Sequence, residues 1–195
     1  FTAEASAGDN AEASFEFKTF VDAFATYDFV ELPNGPKVTL VPGRAVRFKA
    51  ILPTLRCVGE PFRLAIVAED RWGNVTDKAN RRIVLKSTQP IAGLPESIHL
   101  KPGEGPVTIN ALTVAAPHDI WIDLEDEDGN QIGRSNPLRI VSEATELPYW
   151  GDIHGQSGET VGTGTAAEYF AFARDKAFLD ITGHQANDFQ VDDAF

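Results

Sequence analysis

The 195 residues are 43% hydrophobic and 24% charged, a globular balance that excludes disordered and collagen-like architectures and leaves room for one large domain or two small ones. No apolar run approaches the ~20 residues that cross a bilayer, so a soluble chain with no membrane partner is expected. The net charge of −12 is uneven: residues 1–35 carry seven acids and one base, 36–145 thirteen acids and fourteen bases, and 146–195 nine acids and two bases. Acidic ends around a near-neutral middle argue against a nucleic-acid partner, which needs Lys and Arg facing phosphates, whereas an acidic C-terminal segment suits cations.

Residues 1–12 are rich in Ala, Ser, Gly and acids without an apolar period, and read as a poorly ordered end. The chain opens on Phe1 with no basic stretch and apolar core, so a signal peptide is expected to be absent or removed, and both ends read as cuts in something longer. Phe15 and Phe17 alternate and favour a short strand over Ser14–Phe20. Pro33-Asn34-Gly35-Pro36 then closes an N-terminal extension, 1–35. The single Cys57 excludes an intrachain disulfide and a Cys-based zinc cluster, and leaves the compartment open with a lean to the cytoplasm.

Residues 36–145 read as strands separated by turns at sandwich spacing: Lys37–Leu40, Ala45–Leu52, Phe62–Glu69, Arg81–Lys86, Glu96–Leu100, Val107–Thr113, Asp119–Leu124 and Leu138–Val141. Trp72-Gly73-Asn74 and Asp128-Gly129-Asn130 supply turn residues, and the stretches Ala65–Thr76 and Trp121–Gly133 share one plan of strand, acids, Gly-Asn and return. That plan resembles bacterial Ig-like modules. His99 and His118 lack a second histidine at ligand spacing and read as structural. The acidic run Asp123–Gly129 fails the EF-hand pattern, because Leu124 and Ser135 fall where Asp and Glu are required, and it reads as a solvated hairpin tip.

From residue 146 the period changes. Tyr149–His154 reads as a strand, Gly155–Gly164 as a glycine-rich loop, Thr165-Ala166-Ala167-Glu168 as a capping box opening a helix to about Ala177, and Phe178–Thr182 as a second strand. This is a βαβ unit, too small to close a core, and so the opening of a larger α/β domain over 146–195. His154 ends the first strand and His184 follows the second, on the rim where parallel α/β sheets gather ligands and catalytic groups. With Asp152, Glu159 and Asp188 near in sequence, the two imidazoles form a candidate metal site.

Asp152-Ile153-His154-Gly155-Gln156-Ser157 followed by Thr182-Gly183-His184 resembles the first two motifs of the polymerase and histidinol phosphatase (PHP) superfamily, and 149–195, about a quarter of the chain, is similar to a bacterial branch of it. The resemblance implies a distorted α/β barrel around divalent zinc, manganese or iron, with a metal-bound water hydrolysing small-molecule phosphoesters. His154 and His184 would then be ligands, with Asp152 and Gln156 beside them. Two positions depart from the family: Gln156 stands where a second histidine is usual, and Gly183 where an acid is usual. The expected fold is therefore mainly β, an Ig-like sandwich followed by the truncated start of a PHP-like barrel.

Three rival readings follow from the residues alone. Gly155-Gln156-Ser157-Gly158-Glu159 nearly matches a nucleophile elbow, with His184 as base, but ends on Glu159 and is not followed at once by a helix. Gly162-Thr163-Gly164-Thr165-Ala166-Ala167 imitates a dinucleotide fingerprint but starts eight residues after His154. In the third, the sandwich is a binding or scaffold module without catalysis, favoured as a scaffold if one apolar sheet face packs on the α/β segment.

Overall fold

The computed structural model describes residues 2–4, 14–162 and 164–185. Its strands in chain order are β1 (Thr2–Glu4), β2 (Ser14–Glu16), β3 (Phe20–Val21), β4 (Val30–Glu31), β5 (Lys37–Val41), β6 (Arg47–Ile51), β7 (Leu55–Cys57), β8 (Phe62–Glu69) and β9 (Arg81–Ser87). They continue as β10 (Ser97–Leu100), β11 (Val107–Leu112), β12 (Asp119–Ile120), β13 (Ile122–Glu125), β14 (Gln131–Arg134), β15 (Leu138–Val141), β16 (Gly151–Gly155) and β17 (Ile181–His184). The one helix among the described residues, α1, is Ala166–Asp175, too short to cross a membrane.

The protein is mainly β and sandwich-like. A four-stranded sheet in the order β10-β9-β13-β14 faces a three-stranded sheet β11-β8-β6, and a third sheet, β12-β15-β7, completes the wall. Between them lies one apolar core, in which Leu64 and Ile66 of β8, Ile83 of β9, Ile122 and Leu124 of β13, and Leu138 of β15 are fully buried. Removing such surface from water at about 25 cal/mol per Å² is the main stabilising term.

Seven of the eight strands predicted for the sandwich lie in its sheets, and one of the seven is divided. Asp119–Leu124 is not continuous: it breaks at Trp121, so that β12 pairs with β15 while β13 crosses to pair with β9 and β14. The chain changes sheets there, as sandwich corners require. The short strands β7 and β14 add to the predicted set. At the N-terminus the expected loose end is corrected for Thr2–Glu4, which pairs parallel to β5; most of residues 1–12 lie outside the described set. The strand expected over Ser14–Phe20 is confined to β2, which pairs antiparallel to β5, so Lys37–Val41 belongs to a sheet built with N-terminal strands.

The repeated loop plan takes the same geometry twice. After β8, the Asp70 carboxylate accepts from Trp72 N at 2.8 Å, Asn74 N at 3.0 Å and Asn74 Nδ2 at 3.1 Å. After β13, Asp126 accepts from Asp128 N at 3.1 Å, Asn130 N at 2.8 Å and Asn130 Nδ2 at 3.2 Å. Each loop turns on a glycine with φ near +90°, Gly73 and Gly129. Residues 127–130 form the solvated hairpin tip expected of the acidic run, while Asp126, largely covered and joined also by Arg81 at 3.1 Å, ties the turn from within.

β8 differs from its neighbours in being buried along nearly its whole length. Leu64 and Ile66 point into the sandwich core, while Ala65 and Val67 on the opposite face form a second small cluster with Phe178. That second face carries the C-terminal segment. Arg63 Nη2 donates to Phe178 O at 2.8 Å and approaches Asp180 Oδ1 at 3.5 Å, and Trp150 Nε1 donates to Thr54 Oγ1 at 2.7 Å. A groove of about 470 Å³ runs along this junction between Leu52, Pro53, Pro137, Trp150 and Leu179.

Phe178 reaches the sheet at a conformational cost. It adopts φ +55°, the left-handed region that bulky residues avoid, in the turn that follows the helix, where Leu179 N donates to Ala173 O at 3.0 Å. Burying the ring offsets the strain. Phe178→Ala is expected to destabilise the docked segment by about 2 kcal/mol, and Phe178→Gly by about 1 kcal/mol less than alanine, because glycine alone relieves the left-handed strain. Urea denaturation of both variants checks the order; an alanine variant more stable than the glycine variant would contradict it.

Candidate functional site

The C-terminal segment forms the predicted βαβ unit, β16–α1–β17, with its two strands parallel. The capping box is present: Thr165 Oγ1 accepts from Glu168 N at 3.1 Å, and Thr165 N donates to Glu168 Oε2 at 2.7 Å. The Thr165 backbone N–H, and then its hydroxyl, hold the Glu168 carboxyl below its usual range. α1 thus starts where the sequence places it and lays Tyr169 over the strands, its hydroxyl meeting Thr182 Oγ1 and Gly183 O. Gly155 is required beneath that ring, since a Cβ there would sit 1.9 Å from Tyr169 Cζ.

The register is Asp152 opposite Thr182 and Gly155 opposite His184, with a bulge between the two pairs. His154 and His184 therefore both lie at the C-terminal ends of adjacent parallel strands. Asp152 and His154 are exposed, and Asp152 Oδ1 accepts from His154 N at 2.9 Å. Gln156 follows β16 and is half-buried. Glu159 is engaged at the helix start, where its Oε1 accepts from Ala166 N at 3.2 Å; Asp188 lies outside the described residues.

His184 is held on several sides. Its Nε2 stands 2.8 Å from Ser157 Oγ, and its ring contacts the Tyr169 and Phe170 rings at centroid distances of 6.0 and 6.4 Å. Among the described residues no hydrogen bond joins His154 to His184, and no three of His, Cys, Asp and Glu stand close enough to hold an ion. The donors Asp152, His154, Gln156 and His184 are oxygen and nitrogen groups that suit zinc, manganese or iron in kind, but they do not form a closed shell.

The structure also bears on the rival readings. Ser157 and His184 do meet, yet the serine is fully buried, so no substrate reaches its hydroxyl as the loop stands. The glycines of the loop close it on itself: Gly158 N donates to Gly164 O, and a Cβ on Gly162 would fall 2.7 Å from Gln156 C. Among the described residues the loop N–H groups of Ser157, Gly158, Glu159, Thr160 and Gly162 are spent on the loop itself rather than aimed at a phosphate. Thr163 lies outside the described residues. His99 bonds Asn80 Oδ1 at 3.0 Å, in keeping with a structural role.

Sequence reasoning missed two parts of the site. On the sequence Tyr169 is a helix residue without a role, and Ser157 and His184 are paired only as nucleophile and base. Neither residue had a signal for its partner, since the loop closure that joins them depends on glycines separated along the chain.

No protein-family model matches the chain, and no curated protein matches it. Among solved structures, the chain is similar to a β-glucuronidase from glycoside hydrolase family 2 at 12% identity and a TM-score of 0.41. The match covers 56% of this chain and 13% of that one, so the chain spans a small part of the structure it matches.

Proposed function

We propose that the chain couples a non-catalytic β-sandwich scaffold to the opening βαβ unit of a metal-dependent hydrolase. The observation carrying the catalytic half is the placement of His154 and His184 on one rim of a parallel strand pair, where α/β enzymes gather their ligands. The motif resemblance to the PHP superfamily supports it and supplies the activity class, phosphoester hydrolysis, and the barrel that further strands would complete. Asp152, His154, Gln156 and His184 would hold the ion. A bound divalent ion lowers the pKa of its water toward neutrality and offsets charge on substrate oxygens.

A second observation favours the scaffold half. The face of β8 formed by Arg63, Ala65 and Val67 is covered by Phe178 rather than left for a ligand, and this is the apolar face expected of a scaffold. The sandwich then serves to seat the α/β unit.

Elemental analysis of the protein expressed from its full reading frame tests the catalytic half. Stoichiometric zinc, manganese or iron is expected in the wild type, with a loss of at least half in His154→Ala and in His184→Ala, folding being verified by circular dichroism. A folded wild type that takes up none of these metals when they are supplied would remove the hydrolase reading and leave the scaffold alone.

A further inference from the structure

The loop after β16 and the end of β17 are joined by a bond whose protons can be counted. Ser157 is fully buried, so its hydroxyl proton has no access to bulk water. Its oxygen accepts the Glu159 N–H at 3.1 Å. Among the described residues, the other atom within hydrogen-bond reach of that oxygen is His184 Nε2, at 2.8 Å. A buried hydroxyl needs an acceptor for its one proton, and among the described residues Nε2 is the one in place. A neutral imidazole that accepts at Nε2 carries its own proton on Nδ1.

We infer that Ser157 is a positioning residue: its hydroxyl proton goes to Nε2, which holds His184 as the Nδ1–H tautomer and ties the loop after β16 to the end of β17. Nδ1 has no hydrogen-bond partner among the described residues. The contacts of Tyr169 and Phe170 with the ring oppose its turning over, which would exchange the two nitrogens.

This role of Ser157 stands apart from the metal reading proposed above. A ring held as Nδ1–H has its one lone pair, on Nε2, engaged by the Ser157 hydroxyl, so the bond fixes both the tautomer and the orientation of His184 without an ion.

The test is long-range nitrogen–proton NMR of the His184 ring in the intact chain at pH about 8.5, where imidazole is neutral. The wild type is expected to show the Nδ1–H tautomer, and Ser157→Ala the Nε2–H form that unpaired imidazoles prefer. Thr160→Ala is the control, because Thr160 Oγ1 ties the same loop at Ser157 N and Ser157 O without touching His184; it should leave Nδ1–H in place. An Nε2–H tautomer in the wild type, or the same tautomer in wild type and Ser157→Ala, would overturn the inference.

Discussion

Gly133→Ala is expected to cost about 3 kcal/mol of folding stability, although it adds one methyl group. A Cβ at position 133 would lie 2.2 Å from the Phe48 carbonyl oxygen and 3.2 Å from Leu124 Cδ1. The first of these is backbone and cannot swing aside. The position lies where β14 comes against β6, close to the bridge between Ala50 and Ser135, so relief would require separating β14 from β6. Guanidinium denaturation should show a lower midpoint with an unchanged slope, the sign that stability has fallen without a change in the surface exposed. A midpoint within experimental error of wild type would mean that β14 does not approach β6 so closely.

Asp70→Ala is expected to cost a similar amount, about 3 kcal/mol, by a different route. The carboxylate is buried and accepts from Gly43 N at 2.9 Å as well as from Trp72 and Asn74, tying the segment before β6 to the turn after β8. Alanine leaves those donors without an acceptor in a place water reaches poorly. Burial pushes the Asp70 pKa up, but the hydrogen bonds from Gly43, Asn74 and Trp72 outweigh it and hold the group below its ordinary value. With the folded pKa below the unfolded one, the contribution is fully present above the unfolded value of about 4 and is lost as pH falls through the folded value. Asp70→Asn should therefore be less stable at neutral pH and flatten the acid limb of the stability profile. An unchanged acid limb would assign acid sensitivity to other carboxylates.

Much of the sandwich was legible because its strands obey local rules. Phe62–Glu69 and Leu138–Val141 were bounded by turn chemistry and fall where that chemistry places them. The break at Trp121 was not legible, since Asp119–Leu124 reads as one alternating strand and only the packing of two sheets divides it. β8 did carry an unread signal. Its run Leu64-Ala65-Ile66-Val67-Ala68 does not alternate, and an antiparallel strand without alternation is covered on both faces. The candidate site was legible as a rim, because the capping box fixed the helix and hence the strands on either side of it. What the loop between them does with Ser157 depends on closure through Gly158, Gly162 and Gly164, a long-range matter that no spacing rule encodes.

The double burial of β8 has a consequence for how the molecule is made. A ribosome releases the sandwich before it releases Phe178, and domains generally condense in that order. The seat for the α/β unit is then finished before its occupant appears, and a two-stranded parallel sheet that could not persist alone emerges beside a surface ready to receive it. In the finished protein the same asymmetry should run in reverse. Amides of β16 and β17 should exchange with solvent through a partial opening that leaves β8 protected, so that the rim carrying His154 and His184 breathes on a sandwich that does not.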